Sequence, residues 1–353
     1  MAYTSVDNPE LFFQAKIYSG NGGTQSITLD GSEDMQPDWV WLKSRSNANG
    51  HELYDSVRGV EKPIYSNSSD EELTNANGLT AFGSDGFTLG LGASVNGSGR
   101  TFVSWNWKAG TSVSGNTGGS GTAKTYSGSV NTTSGFSITK FVGNGTAGHT
   151  IPHSLGVVPK WIVIKNLTSG STNWQTYHDK LDNGAGTHEV FLDLNNAQNA
   201  SSGLMNNTAP TSTVVTKGSG SYGNGNGENY IMYIFSEKKG YSKFSSYEGN
   251  GSTSSNFIYT GFKPSFVMTK RTTGSAAWQI IDTARNPINP TTHALFPNDS
   301  TSELGTYTTD YLSNGFNIRV TTASRNGSGD SYIYMAFAES PFVNSNGVPT
   351  NAK

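Results

Sequence analysis

The feature that most constrains the fold is a pattern written three times along the chain. An aromatic residue, one spacer and Gly-Asn-Gly occur as "YSGNGG" at 18–23, "FVGNGT" at 141–146 and "YEGNGS" at 247–252. Fifteen to seventeen residues after the first glycine of each copy comes a proline, opening an apolar run that stops at a lysine. These runs are "PDWVWLK" from Pro37 to Lys43, "PKWIVIK" from Pro159 to Lys165 and "PSFVMTK" from Pro264 to Lys270. Proline suits the entrance of a strand and not its middle. Apolar residues on both sides of the pleat imply an interior strand, or one whose second face a neighbouring chain covers. Trp39, Trp41, Trp161 and Phe266 are therefore expected to be structural, with Trp41, Trp161 and Phe266 buried on equivalent central strands.

Further elements match in step. "HELYDSV" at 51–57, "NWQTYHD" at 173–179 and "AWQIIDT" at 277–283 follow the three runs. The closing stretches "GRTFVSWNWKAG" (99–110), "GENYIMYIFSEKKG" (227–240) and "GDSYIYMAFAESPF" (329–342) are aromatic and β-branched, as central strands are. "SDGFTLGLG" at 84–92 and "SNGFNIRV" at 313–320 carry Asp-Gly and Asn-Gly steps that signal hairpins. Helix signals are thin: 68–77 and 193–203 have room for a turn or two, with Ser69 or Asp193 as cap. The expectation is an all-β chain of three tandem antiparallel β-sandwich-like domains of one repeated type, spanning 1–110, 125–239 and 240–353. Residues 111–124, within the Gly/Ser/Thr-rich stretch 111–130, are expected to form a flexible linker. No comparable linker separates the second and third units, so these are expected to form a rigid pair and the first to be less firmly attached. The Gly-Asn-Gly copies are expected to be tight turns, because none feeds a helix with the lysine and hydroxyl of a phosphate loop.

Composition narrows the function. Charged residues make up 14% of the chain and the formal net charge is −3, so no basic block exists to neutralise nucleic-acid phosphates. No apolar run is long enough to span a membrane as a helix, and "MAYTSVDNPELFF" lacks the features of a secretory leader. With no cysteine there is neither a disulfide framework nor thiolate chemistry.

Candidate chemical groups are scattered. His149 and His153 would share a strand face but lie roughly 13 Å apart, too far for one metal ion. His178, Asp179 and Asp182, or His51, Glu52 and Asp55, could supply a carboxylate pair for glycoside hydrolysis. The third copy has Ile280, Ile281 and Asp282 there, so no acid pair repeats. No catalytic, metal-binding or cofactor-binding residue is expected, and the chain reads as non-enzymatic. Trp174 and Trp278, just after the variable loops "LTSGST" and "RTTGSA", are the candidates for glycan or partner contact. Trp39 with Trp41, and Trp105 with Trp107, each share one alternation phase, suggesting a strand face covered by another subunit.

The pattern "YSGNGGTQSI…PDWVWLKSRS…LYDSVRG…SDGFTLG…FVSWNWKAG", with its later counterparts, resembles the repeated β-domains of tailed-phage virion proteins, especially those of marine phages. The resemblance runs from about Phe12 to Phe342, with Pro37, Trp39, Trp41, Pro159, Trp161, Pro264 and Phe266 as its structural positions. It implies a virion structural protein, an exposed tail-fibre or appendage subunit contributing to host attachment. Capsid decoration is the alternative, and a carbohydrate-binding module is an alternative of another class. The partners implied are other virion proteins, a homo-oligomer such as a trimer, and host-surface glycan, without nucleic acid or membrane insertion. The place implied is the virion surface or tail, after synthesis in the host cytoplasm without a signal peptide.

Overall fold

The strands behind Pro37, Pro159 and Pro264 lie inside three large antiparallel sheets. In the computed structural model, which describes residues 3–350, Trp39–Ser44 is flanked by Thr101–Trp107 and Glu52–Asp55. Trp161–Asn166 is flanked by Asn229–Phe235 and Gln175–His178, and Phe262–Arg271 by Ser331–Pro341 and Gln279–Asp282. Pro264 falls at a break in register within its strand, where a missing N–H costs no ladder bond. On the far side of each closing strand pairs Phe13–Ser19, Phe136–Val142 or Ser242–Glu248. Each large sheet is covered by a three-stranded sheet, and no sheet closes on itself. The chain is all-β, with a few helical turns.

Alternation divides each large sheet between two cores. Val40, Leu42 and Tyr54 face Ile27, Phe87 and Leu89 of the small amino-terminal sheet. Ile162, Ile164 and Tyr177 likewise meet Ile151 and Val215, while Val267, Ile281 and Tyr334 meet Ile258 and Phe316. The opposite faces converge on one shared core containing Trp39, Trp41, Trp105 and Trp107 from the first sheet, Trp161, Tyr233 and Phe235 from the second, and Phe266, Met268 and Phe337 from the third. Trp107, Phe235 and Phe337 take the same register position beside Trp39, Trp161 and Phe266. Their rings form a triangle with centroid separations of 6.4, 5.7 and 5.7 Å, within the range of favourable aromatic contacts.

Several expectations are corrected here. The second face of the central strands is covered by the other sheets of the same chain, which removes the need for a neighbouring subunit there. By register the counterpart of Trp161 and Phe266 is Trp39, whereas Trp41 aligns with Val163 and Met268. All of these residues are buried. Residues 111–124 are not a free linker: Thr111–Asn116 pairs along Thr125–Asn131, extending the middle sheet, and Gly118–Gly119 pairs with His149–Pro152. The first unit is not loosely attached either, since its four tryptophans lie in the shared core. Residues 68–77 form no helix, and only Ser202–Met205 turns at the end of 193–203.

The Gly-Asn-Gly stretches are not hairpin turns: each carries the chain from a large sheet to a small one, and each is held from outside by a buried asparagine. Asn96, Asn224 and Asn326 accept through Oδ1 from the backbone N–H of Asn21, Asn144 and Asn250 at 3.1, 3.1 and 2.9 Å. Their Nδ2 groups donate to Gly23, Thr146 and Ser252 carbonyls and to Gly90, Gly218 and Val320 carbonyls. A Cβ on Gly20, Gly143 or Gly249 would come within 2.4, 2.3 or 2.1 Å of a facing carbonyl oxygen, so only glycine fits.

Candidate functional site

Several of the polar residues singled out from sequence tie one part of the chain to another. Lys43, Lys165 and Lys270 are the penultimate residues of the central strands, and each reaches a neighbouring segment. Their Nζ atoms donate to the carbonyls of Ser300, Ser69 and Asn195 at 3.1, 2.9 and 3.2 Å. Burial draws the three amines down to about 8, 8 and 7. Trp174 and Trp278 are 0% exposed, which overturns their assignment as glycan or partner contacts. Trp174 Nε1 donates to the Tyr65 carbonyl at 2.9 Å and Trp278 Nε1 to the Phe191 carbonyl at 2.8 Å. The variable loops ahead of them are packed against the adjacent segment, so their indoles are carried inward.

The acidic candidates are likewise committed. Asp55 and Asp282 are fully buried, each held by the arginine three residues on, Arg58 at 2.5 Å and Arg285 at 2.6 Å. Each carboxylate also accepts across the shared core, Asp55 from Tyr233 Oη at 2.7 Å and Asp282 from Trp105 Nε1 at 3.0 Å. The corresponding residues of the middle sheet are His178 and Leu181. Burial keeps His178 neutral, down to about 4, and its Nε2 lies 3.3 Å from the Tyr334 carbonyl. Asp179 pairs with Lys160, and Asp182 with Thr187 and His188 near the surface. Glu52 accepts from Tyr54, and His51 Nδ1 accepts from Trp41 Nε1. His149 sits between Asn224 and Thr117, and His153 reaches the Thr211 carbonyl. Among the described residues no three metal-ligating side chains gather.

The outward face of the small carboxyl-terminal sheet is different. Phe257 and Tyr259 alternate with buried Ile258 and are 44% and 56% exposed, and Leu312, two strands away, is 38% exposed. Register places Tyr259 beside Gly315 and Gly315 beside Leu312, with Phe257 beside Asn317 and Asn317 beside Asp310. A Cβ on Gly315 would fall 2.9 Å from the Phe257 ring, so the absent side chain lets that ring lie across the sheet. Tyr3 approaches the Tyr259 hydroxyl at 3.4 Å and donates to the Gly261 carbonyl at 2.9 Å. Polar groups frame these apolar surfaces: Ser255 bonded to Asn317, and Arg319 paired with Asp310. Leu312 also lines a groove of about 610 Å³ walled by Lys263, Asn289, Tyr311, Asn314 and Glu339.

The other two small sheets offer no such surface. At the corresponding outward positions the amino-terminal sheet has Ser26 beside Thr88 and the middle sheet Thr150 beside Thr216. One sequence family, described as a domain of unknown function (DUF7483), matches residues 8–341. The chain belongs to that family. No curated protein matches it, and no solved structure does. The DUF7483 match extends across all three large sheets as one stretch, as does the shared core.

In this DUF7483 chain the exposed platform joins flat aromatic faces to hydrogen-bonding groups at its edge. Aromatic rings of this kind present a large apolar face, and the tyrosine adds a polar handle. Sequence reasoning missed Phe257 and Tyr259. The signal was the comparison of "NFIY" at 256–259 with "QSIT" at 25–28 and "HTIP" at 149–152. Only the first puts aromatic residues on both sides of the shared isoleucine.

Proposed function

We propose that this protein is a non-enzymatic structural component of a tailed-phage particle, an exposed tail-fibre or appendage subunit that contributes to host attachment by holding surface glycan. The observation that carries the proposal is the Phe257, Tyr259 and Leu312 platform, present on one small sheet of three. Support also comes from the use of the buried ionisable groups as internal ties and from the resemblance set out above. The chain is further proposed to be three copies of one β-sandwich unit. The matching strand pairings, the three asparagine clasps and the three lysines next to the strand ends support that division. Three units around one aromatic core would supply within a single chain the symmetry that a homotrimer supplies with three.

The test is binding of the purified chain to host-surface polysaccharide, alongside a Phe257→Ser/Tyr259→Ser variant. The expected result is retention by the wild type without shortening of the polymer, and at least about a tenfold loss in the variant at an unchanged unfolding midpoint. Equal binding by the two chains would remove the platform from the proposal. Polymer shortening that stops on replacing Asp179 or Asp182 would overturn the non-enzymatic assignment.

A further inference from the structure

The middle sandwich contains a lysine where its counterparts are aliphatic. Lys217 pairs in register with His149, as Leu89 does with Gln25 and as Ile318 does with Asn256 through two backbone hydrogen bonds. Its side chain points into the sandwich and is fully buried, and its Nζ has no hydrogen-bond partner among the described residues. From the opposite sheet Gln175, also buried, presents an Oε1 that is likewise unpartnered. Both atoms face one small space above Gly223. A Cβ built there would lie 2.6 Å from Gln175 Oε1 and 2.8 Å from Lys217 Nζ. The third member is Glu189 on the adjoining strand, whose Oε2 accepts from Gln175 Nε2 at 2.8 Å. An amine, a carboxamide and a carboxyl group thus converge in an interior that also holds Ile151, Val215 and Tyr177, with the hydrogen-bonded pair His149 and Asn224 at its side.

We propose that Lys217 and Gln175 join in an intramolecular isopeptide bond across the middle sandwich, with Glu189 moving the proton between them. The neutral amine of Lys217 attacks Cδ of Gln175, forming the Cδ–Nζ bond. Glu189, already at the leaving nitrogen, delivers a proton to Nε2 and recovers one from Nζ. The Cδ–Nε2 bond breaks and ammonia departs, so no oxidant, metal or second substrate enters the balance. Burial lowers the Lys217 amine to about 7 and raises the Glu189 carboxyl, which favours the nucleophilic amine and the proton-bearing acid that the step needs. A chain without cysteine would gain a covalent strap between two sheets, constraining the unfolded state as a disulfide does.

Mass spectrometry of the purified full-length chain, intact and after proteolysis, tests this directly. The expected product is lighter than its sequence by one ammonia, and tandem spectra place the loss in a branched peptide joining Gln175 to Lys217. Lys217→Met and Glu189→Gln are expected to restore the full mass. Because the wild-type peptide map decides the matter, a variant that fails to fold does not obscure it. Linear peptides carrying unmodified Gln175 and Lys217 as the main wild-type product would overturn the proposal. So would an ammonia loss mapped to one of the Asn-Gly steps.

Discussion

Replacing Arg285 by leucine is expected to destabilise the wild-type protein and to stabilise a chain in which Asp282 has already become histidine. In the wild type Arg285 is fully buried and gives Nε to Asp282 Oδ2 at 2.6 Å, Nη1 to Glu303 at 2.9 Å and Nη2 to the Ile280 carbonyl at 2.8 Å. Removing it strands the Asp282 carboxylate with only Trp105 Nε1 and one backbone N–H as donors. Leaving one partner of a buried ion pair uncompensated costs about 3–5 kcal/mol. Asp282→His alone is expected to cost a similar amount, because it leaves the buried guanidinium with Glu303 as its remaining carboxylate partner and its Nε unpaired. The double variant reproduces the His178 and Leu181 arrangement of the middle sheet, where an imidazole and an aliphatic side chain fill the same register positions. Its remaining cost is the altered acceptor for Trp105, about 1–3 kcal/mol. Arg285→Leu should therefore regain roughly 2 kcal/mol in the Asp282→His background. Urea unfolding followed by tryptophan fluorescence is the assay, since all seven tryptophans are buried. Arg285→Leu lowering the midpoint in both backgrounds would refute the reasoning.

Two further predictions follow from the buried polar groups. Asn326→Ala should cost about 3 kcal/mol or more, because it unpairs Asn250 N–H and the Ser252 and Val320 carbonyls together; a midpoint within about 0.5 kcal/mol of wild type would show the clasp to be dispensable. Burial depresses His178 from 6.5 to about 4, so between those values the unfolded chain binds a proton that the folded chain refuses, and stability falls as pH falls. Full loss of that term amounts to about 3 kcal/mol, and wild type should lose this much more than His178→Gln between pH 7 and pH 4; parallel pH profiles would count against it.

The sequence by itself determined the all-β character of the chain and its central strands. Strand identity is local: proline at the entrance, alternation or continuous apolarity along the run, and Asp-Gly or Asn-Gly at the hairpins all act over a few residues. Which face of a strand meets which neighbour is not local, and here tertiary structure alone decided. Trp174 and Trp278 looked exposed because Gly, Ser and Thr precede them, yet the adjoining segment supplies the carbonyls that bury their indoles. Thr111–Asn116 has a linker's composition and becomes a strand because the edge at Thr125–Asn131 offers it partners. Phe257 and Tyr259 would be taken for core by composition, but a period of two sends them outward on either side of Ile258, where the described residues leave them about half exposed. The union of three sheets in one core was hidden for the same reason. An apolar face records only that it must be covered, and the same face would serve equally well against a second chain.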